Sequence, residues 1–547
     1  MNDKISSLCG KVSNKSTILL LIFLTIFSIG AVYYCQYPSF KDNLLVHCDV
    51  GTYLPTVYHF INPRLFANDP SVVYMLSIIP RGYLSLLVGL GHFVEPILLV
   101  KIVPFFLIAI SFIYLFFLGK KISGDIAGFA MSVLFILHSG TFQTFQGLTP
   151  RAFAYPLLFP FLFYLIKKKY FACWLIFNMQ ILFYPPIALL SLLTFIFSVF
   201  EVKKRKILFH CRSLIIWLLF FSSCLTVYIF QFKSLAKGEF GKVVGFQDML
   251  IMPEFFPGGK TPFFFSNIIE FLQSKRSGIE LNIPLLFILI VATLGLFFKF
   301  KKKIILGVPR EIIFLFLSSL LLYSVSFFFV LHLYWPSRYI IFSLPAVCFI
   351  IIGILFARLI EQFFTRIPGS LAVVLFFLST SLFYAPHING RQSDYRYLRG
   401  ALNFLAAQPE DSTVASTPFI SDSFPVFAKK KVLFSQRLLM AFHKKYYEKM
   451  KNSVFEFYKA YYSDSMETLE SFCSKYAVDY IVLDKFHFAP GFLKANQEQE
   501  PFNSYLLGLF SVEKKDYFLL PRITGDRLVF EDERIAIIQT SDLKLSK

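Results

Sequence analysis

The sequence KKKYFACWLIFNMQILFYPPIALLSLLTFIFSVFEVKKRK, residues 167–206, determines how the chain is organised. Its apolar run 171–200 lies between two basic clusters and is too long for one ordinary membrane span. Because basic clusters favour the cytoplasmic side, both ends of the run are expected there. The Tyr184-Pro185-Pro186 break is then the tip of a hairpin, since proline removes a backbone donor. Each arm rises only about 21 Å, less than the roughly 30 Å hydrocarbon core, so Tyr184 is predicted to border a cavity at membrane depth.

The same alternation of apolar runs and basic clusters extends through the first 386 residues. With the N-terminus inside, every basic cluster falls on the cytoplasmic side. We therefore predict a multi-spanning α-helical membrane protein with about 11 spans, and a retained first span because no small-x-small cleavage motif follows it. The predicted spans are 18–35, 97–118, 125–141, 152–166, 171–184, 186–200, 208–231, 283–298, 311–331, 338–357 and 368–386.

The composition and the charge support this class of protein. Of the 547 residues, 56% are hydrophobic and 16% charged, whereas soluble globular proteins carry about 25% charged residues. The net charge of +20 divides into +18 for residues 1–386 and +2 for residues 387–547. The positive charge is therefore explained by the orientation of the chain in the membrane, and no nucleic-acid partner is expected. The eight cysteines form no CxxC motif, which argues against a disulfide framework.

Three segments are predicted to be external. Residues 36–96 mix charged residues with short apolar pieces that are typical of interfacial helices. Residues 232–282 are rich in Gly and Pro, as expected for a mobile loop, and long loops of this kind often act as lids. Residues 387–547 have the composition of a soluble α/β domain. In that domain we predict strands at 413–419, 431–435 and 480–485, helices at about 436–461 and 465–477, and a strand-rich end at 517–540.

Three short stretches of the sequence contain residues that could take part in catalysis or ligand binding. In His47-Cys48-Asp49, an aspartate at the rim of an apolar cavity could act as a general base or bind a cation, or it could be an ordinary loop carboxylate. Arg151 and Arg338 each stand at the start of an external helix, where a guanidinium and the helix dipole can bind phosphate. Alternatively, both arginines snorkel to lipid headgroups within an aromatic belt.

The arrangement of these motifs is similar to one known superfamily. His47-Cys48-Asp49 lies in the first long external segment, and Pro336-Ser337-Arg338-Tyr339 lies at a late external helix start. With many spans, an inside N-terminus and an external C-terminal domain, the chain resembles the GT-C superfamily of membrane glycosyltransferases. That superfamily includes protein O-mannosyltransferases, aminoarabinose transferases and oligosaccharyltransferase catalytic subunits. The resemblance covers the whole chain at the level of architecture.

The resemblance implies transfer of a sugar from a polyprenyl-phosphate carrier to a glycan, lipid or protein acceptor on the external face. Asp49 would deprotonate or orient the acceptor hydroxyl in an inverting displacement, and Arg338, assisted by Arg151, would bind the leaving phosphate. Arg81 is a further candidate for phosphate binding. Residues 232–282 would order over bound substrate. The candidates to line the cavity or bind a metal are His47, Asp69, Tyr184, His332 and Tyr339.

The cofactor is left open by a departure from the superfamily pattern. Many members carry an acidic metal ligand between spans three and four, whereas residues 142–152 contain no Asp or Glu. A divalent cation is therefore uncertain, with Asp69 as a substitute ligand. The alternative functions are a lipid or polysaccharide flippase, a secondary transporter, a polysaccharide polymerase or ligase, and an inactive scaffold. The composition favours a bacterial inner membrane with a periplasmic active face and surrounding membrane lipids.

Overall fold

The computed structural model describes most of the membrane region and of the C-terminal domain. The described residues are 14–203, 206–209, 214–227, 238–279, 307–363, 392–489, 491–492, 498–512 and 518–540. The predicted spans 283–298 and 368–386 lie outside these residues, as does the predicted domain boundary at 386/387.

The helices and the strands are each numbered in chain order. The helices are α1 (Asn14–Lys41), α2 (Val50–Ile61), α3 (Pro70–Ile78), α4 (Arg81–Gly91), α5 (Pro96–Leu137), α6 (Ser139–Phe145), α7 (Ala154–Ile166), α8 (Tyr170–Phe183), α9 (Pro185–Val199), α10 (Leu214–Val227), α11 (Phe246–Met249), α12 (Ile268–Gln273), α13 (Arg310–Phe328), α14 (Ser343–Phe363), α15 (Arg399–Ala406), α16 (Pro418–Ser421), α17 (Lys444–Tyr461), α18 (Met466–Tyr476) and α19 (Phe502–Val512). The strands are β1 (Leu45–His47), β2 (Phe200–Lys203), β3 (Lys206–Phe209), β4 (Gln392–Asp394), β5 (Thr413–Ala415), β6 (Lys431–Val432), β7 (Tyr480–Asp484), β8 (Leu528–Glu531) and β9 (Ile535–Gln539).

Several helices are long and apolar enough to cross a membrane. Within the described ranges there are four of them, in α1, α5, α13 and the segment Pro336–Ile360. A fifth is present if the pair Gly140–Leu148 and Pro150–Ile166, bent by 120°, is one span. Shorter apolar helices α8, α9 and α10 add to this set. The chain is therefore an integral membrane protein with several spans, whereas the number of 11 spans remains a prediction.

Helix α5 consists of two helices that fold back on each other. Its backbone leaves helical geometry at Ser123 and Gly124, and Gly124 has φ of 85°. Gly119 and Gly128 then face each other so closely that a Cβ on Gly119 would lie 2.6 Å from the Gly128 Cα. The reversal separates the predicted spans 97–118 and 125–141.

Helices α8 and α9 form the second hairpin. Tyr184 breaks the helix with φ of −151° and ψ of 84°, and Pro185 begins the next one. The ring of Tyr170, at the start of α8, lies 5.8 Å from that of Phe195, near the end of α9. The two arms are therefore antiparallel, which confirms the hairpin predicted from residues 171–200.

The C-terminal domain contains a five-stranded sheet of order β6-β5-β7-β9-β8. The first three strands are parallel, and β9 pairs antiparallel with both β7 and β8. The prediction of a helix from 436 was wrong at its start, because α17 begins at Lys444. The predicted strands 413–419 and 431–435 also stop early, at Ala415 and Val432.

The C-terminal domain packs on two loops of the membrane region. Strand β1 pairs antiparallel with β4, with Leu45 opposite Asp394. Residues 238–279 are bonded to α17 and the segment before it, including an ion pair of 2.7 Å between Asp248 and Lys444. The predicted mobile loop is therefore held against the C-terminal domain over its described part, and the loops and the domain together enclose a cavity.

Candidate active site

A large cavity lies between the membrane helices, the first loop (residues 36–95), residues 238–279 and the C-terminal domain. Its volume is about 960 Å³. Lys and Arg side chains from all of these regions line it, and Asp49 is the one carboxylate among the described lining residues. The charged residues around it are Asp49, Arg81, Arg151, Lys260, Lys275, Arg276, Arg338 and Arg437. An excess of cations in an enclosed space suits an anionic ligand.

Asp49 is held by two arginines from distant parts of the chain. It stands at the N-cap of α2, yet its side chain makes no capping hydrogen bond. Instead, Arg151 Nη2 donates to its Oδ2 at 2.8 Å, and Arg437 Nη1 donates to its Oδ1 at 3.3 Å. Both carboxylate oxygens are therefore engaged by guanidinium groups.

The charges around Asp49 determine its ionisation. Burial would raise the pKa of the Asp49 carboxyl, but the positive charges of Arg151, Arg437 and Arg276 outweigh burial and hold the pKa well below its usual range. Asp49 is therefore a carboxylate at neutral pH. A carboxylate in this state can accept a hydrogen bond and orient a nucleophile.

A glycine allows the turn after α6 to pass over His47. Gly147 has φ of +68°, and a Cβ there would lie 2.7 Å from His47 Nδ1. The same nitrogen accepts a hydrogen bond from the Asp49 backbone N–H at 3.2 Å. The turn therefore fixes the imidazole, and the imidazole in turn fixes the backbone that carries Asp49.

Arg151 lies where the bent helix pair changes direction. The turn Pro150–Phe153 begins with proline at its first position, and the helix α7 follows directly. The sequence places this arginine at a helix start, as expected, but the guanidinium contacts Asp49 across the cavity wall. The Arg151 guanidinium therefore forms an ion pair with the Asp49 carboxylate.

Arg338 and Arg276 form a second cationic group. Arg338 lies in the turn Pro336–Tyr339, and Ser337 of that turn donates from its backbone N–H to the Arg276 carbonyl at 3.1 Å. The Arg276 guanidinium stacks over Trp335, with its Cζ 5.3 Å from the ring centroid. Burial in the cavity and the charge of Arg338 lower the pKa of Arg276 to about 9. In the part of the chain that the structure describes, neither arginine forms an ion pair with a carboxylate.

Arg437 is fixed by partners in the C-terminal domain and in residues 238–279. Its backbone N–H donates to Asp422 Oδ1 at 2.9 Å, and its Nε lies 3.7 Å from Asp422 Oδ2. Lys260 Nζ donates to the carbonyls of Gln436 and Leu439 on either side of it. These contacts direct the Arg437 side chain into the cavity.

Four charged cavity residues were missed by sequence reasoning. Arg437 was assigned to the amphipathic helix 436–461, and Lys260, Lys275 and Arg276 lie in the segment 232–282 that was predicted to be a mobile loop. By the GT-C resemblance, the C-terminal domain would support the acceptor side instead of performing chemistry. The available signal was weak, because one arginine before a helix or one lysine after two glycines is common on any surface.

The structure divides the other predicted site residues into two groups. His47, Arg81, Tyr184 and His332 line the cavity. Asp69 and Tyr339 are not among its lining residues. Asp69 Oδ1 accepts a hydrogen bond from the Ser71 backbone N–H at 2.8 Å, and the Tyr339 hydroxyl donates to the Leu333 carbonyl at 2.6 Å. A metal ligand role for Asp69 therefore finds no support in its position.

One group of described residues has metal-ligating atoms close together. The ligand atoms of His47, Cys48 and Asp49 all lie within 4.8 Å of one another. No acidic, histidine or cysteine side chain elsewhere in the described ranges joins this group.

Comparison with known proteins identifies the fold. No protein-family model matches the chain, and no curated protein matches it. Among solved structures, the Archaeoglobus fulgidus oligosaccharyltransferase matches with a TM-score of 0.54 and 12% identity in a form tethered to an acceptor peptide with the NVT sequon, over 88% of this chain and 70% of that one. The same archaeal enzyme, AglB, in complex with an inhibitory peptide and a dolichol-phosphate, matches with a TM-score of 0.51 and 10% identity, over 87% and 70% of the two chains.

A third structure of this enzyme, in complex with zinc and sulfate, matches with a TM-score of 0.50 and 12% identity over 88% and 70% of the two chains. At these identities the likeness concerns the fold. The chain therefore shares the fold of this archaeal enzyme over most of its length.

Proposed function

We propose that this chain is an integral membrane glycosyltransferase that transfers a sugar from a polyprenyl-phosphate-linked donor to an acceptor within the cavity. The observation that carries the proposal is the charge arrangement of the cavity, which is lined by Asp49 together with five arginines and two lysines. A phosphate-linked donor supplies an anion for Arg276 and Arg338, and the Asp49 carboxylate supplies an acceptor for the nucleophile's proton.

Arg338 and Arg276 are suited to hold the donor phosphate. Guanidinium groups bind phosphate oxygens in bidentate geometry, and neither of these two forms an ion pair with a carboxylate in the described parts of the chain. When the bond between the sugar and the phosphate breaks, negative charge develops on the phosphate oxygen. Two guanidiniums already in place stabilise that charge without reorganisation. Arg81, also at the cavity, extends the cationic surface.

Asp49 orients the acceptor and takes its proton. Its low pKa makes it a weak base before the reaction, so the proton moves late, as the new bond to the anomeric carbon makes the nucleophile acidic. Attack from the Asp49 side, opposite the phosphate, inverts the anomeric configuration. Arg151 and Arg437 keep the carboxylate in one orientation during this step.

The comparisons support the donor class. The archaeal enzyme of the same fold was solved with a dolichol-phosphate, and in another form with a tethered acceptor peptide. In this chain the cavity is lined by apolar residues of the membrane helices, including Phe342, Ile341 and Cys348, beside Tyr184. A lipid tail extending between the helices would reach the cavity from that side. The acceptor is a lipid, a glycan or a protein, and the active face is the external, periplasmic side of a bacterial inner membrane.

The deciding experiment compares envelope glycans and lipid-linked sugars by mass spectrometry. A deletion strain is complemented with the wild-type chain, with Asp49→Asn or with the matched control Asp69→Asn, at equal membrane abundance. We expect Asp49→Asn to match the deletion, with one sugar modification lost and its carrier-linked donor accumulated, and Asp69→Asn to match the wild type. Full restoration by Asp49→Asn would favour a transporter or an inactive scaffold instead.

A further inference from the structure

The fold raises the question of a divalent cation at Asp49. Zinc was present in one structure of the archaeal enzyme, and His47, Cys48 and Asp49 place a nitrogen, a sulfur and carboxylate oxygens close together. A zinc site needs ligand atoms about 2.0–2.3 Å from the ion, with lone pairs directed at it. The bonding of these residues shows whether that condition is met.

The carboxylate does not meet it. Asp49 Oδ2 accepts from Arg151 at 2.8 Å and Oδ1 from Arg437 at 3.3 Å. A divalent ion bound to either oxygen would lie next to a guanidinium, and like charges at that distance repel strongly in an enclosed site. Each oxygen directs one of its lone pairs at arginine, and an ion on the remaining lone pair would have a guanidinium as its neighbour.

The histidine and the cysteine cannot complete a site without that carboxylate. His47 Nδ1 is 4.0 Å from Asp49 Oδ2, but it already accepts the Asp49 backbone N–H at 3.2 Å. The turn at Gly147 packs against the same ring, since a Cβ there would lie 2.7 Å from this nitrogen. Without the Asp49 carboxylate, His47 and Cys48 provide at most two ligands, fewer than the three protein ligands of a catalytic zinc site.

The residue that replaces the ion comes from the C-terminal domain. We propose that Arg437, together with Arg151, takes the place of a divalent cation at Asp49, so that the site works without a metal. Arg437 is a positioning residue that acts through the Asp49 carboxylate. Asp422 and Lys260 hold Arg437 in place, so the C-terminal domain is a component of the reaction site.

This inference deepens the proposed function and rests on it for the role of Asp49, whereas metal content can be measured independently of activity. The full chain in lipid nanodiscs is incubated with zinc or manganese, desalted, and analysed by mass spectrometry of metals. We expect the wild type and Asp49→Asn to retain no stoichiometric metal. EDTA should leave the thermal midpoint of the wild type unchanged, because a bound ion would stabilise the native state.

The variant that frees the carboxylate provides the converse test. In Arg151→Gln/Arg437→Gln both oxygens of Asp49 lose their guanidiniums while His47 and Cys48 remain, so we expect this variant to retain close to one zinc ion per chain. Adding Asp49→Asn should abolish that gain. Arg396→Gln, which removes an exposed arginine paired with Asp394 in the same domain, is the matched control and should gain nothing.

Two results would overturn the proposal. The first is one metal ion per wild-type chain that Asp49→Asn loses. The second is a folded double variant, with a thermal transition like the wild type, that binds no zinc, since the arginines would then not be what excludes the ion. A metal-free chain without transferase activity would instead count against the proposed function alone.

Discussion

Two aspartates in the first loop have the same local sequence position and opposite roles. Asp49 precedes α2 and Asp69 precedes α3, each at the N-cap. Asp69 accepts a hydrogen bond from its own helix, at the Ser71 N–H. Asp49 makes no such bond, and its carboxylate instead pairs with Arg151 and Arg437, which are distant from it in sequence.

The electrostatic consequences are opposite as well. Burial raises the pKa of the Asp69 carboxyl despite its hydrogen bonds to Ser71 and Val72. At Asp49 the surrounding positive charges outweigh the same effect of burial and lower the pKa. A side chain that gives up its ordinary local partner for distant charged groups is therefore the better candidate for chemistry.

The comparison predicts the largest effect at Asp49. In a transfer assay with the full chain, Asp49→Asn should lower kcat by about 1,000-fold or more, because the amide neither carries charge nor accepts a proton. The thermal transition should remain close to that of the wild type. An Asp49→Asn enzyme with at least half of the wild-type rate would remove Asp49 from the mechanism.

The next largest effect is expected at the leaving-group side. Arg338→Lys keeps the charge but loses the planar fork that binds two phosphate oxygens, so kcat/KM should fall by about 100-fold. Arg276→Lys should behave similarly, with a smaller loss. Arg396→Lys, at an exposed arginine of the C-terminal domain, is the control that should retain full activity. Equal activity in all three variants would show that the phosphate binds elsewhere.

A pH profile tests how Asp49 is held. Because its pKa is lowered, the ionised form should be present throughout neutral pH, and the acid limb of kcat/KM due to this carboxyl should lie below the ordinary aspartate value of about 3.9. Arg437→Gln removes a lowering charge while burial remains, so the limb should move to higher pH. Activity at pH 7 should fall about 10-fold for a separate reason, because the carboxylate loses one of the two guanidiniums that orient it.

The other titratable or charged groups around Asp49 are the same in both proteins, so the difference between the two pH profiles is due to the Asp49 carboxyl. These groups are His47, Cys48, Arg151, Arg276 and Lys260. Arg437→Lys should move the limb less than Arg437→Gln does. Identical limbs in wild type and Arg437→Gln would show that Arg437 does not act through the carboxylate.

Substitutions at two glycines separate the stability cost of backbone strain from the cost of contact with His47. Gly147→Ala introduces a side chain at φ of +68° and 2.7 Å from His47 Nδ1, whereas Gly238→Ala does so at φ of +69° with nothing within 4 Å. Gly238→Ala should cost about 1 kcal/mol of unfolding free energy, and Gly147→Ala about 2–3 kcal/mol with loss of activity. Equal losses of stability in thermal denaturation would show that contact with His47 adds nothing.

Much of the fold could be predicted from the sequence because its signals are local. Lys167–Lys169, the Tyr184-Pro185 break and the run after it specify the α8–α9 hairpin through charge, proline geometry and length alone. The strands β7 and β9 likewise follow from short apolar runs. Asp49, Arg151 and Arg338 could be selected because each interrupts a pattern at a helix start.

The remainder of the site depends on contacts between distant segments. Arg437 reaches Asp49 over a separation of 388 residues, and Arg276 lies beside Trp335 through a loop whose sequence resembles a mobile linker. Nothing in the local pattern around these arginines differs from an ordinary surface. Asp69 shows the converse. As an acidic residue of the first loop it was a candidate metal ligand, whereas in the structure its carboxylate caps its own helix.

The smallest effect is expected at Asp69, which provides the simplest test of the distinction between the two aspartates. Asp69→Asn keeps an acceptor oxygen for the Ser71 N–H and removes a charge that burial disfavours, so the free energy of unfolding should change by less than about 0.5 kcal/mol at neutral pH. Asp69→Ala removes the cap and should cost about 1 kcal/mol. Transfer activity should stay within about twofold of the wild type in both variants, because the Asp69 carboxylate is bonded to α3 and does not line the cavity. If Asp69→Asn lost as much activity as Asp49→Asn, a local cap would be as important to the reaction as the arginine-bound carboxylate, and the distinction between the two aspartates would fail.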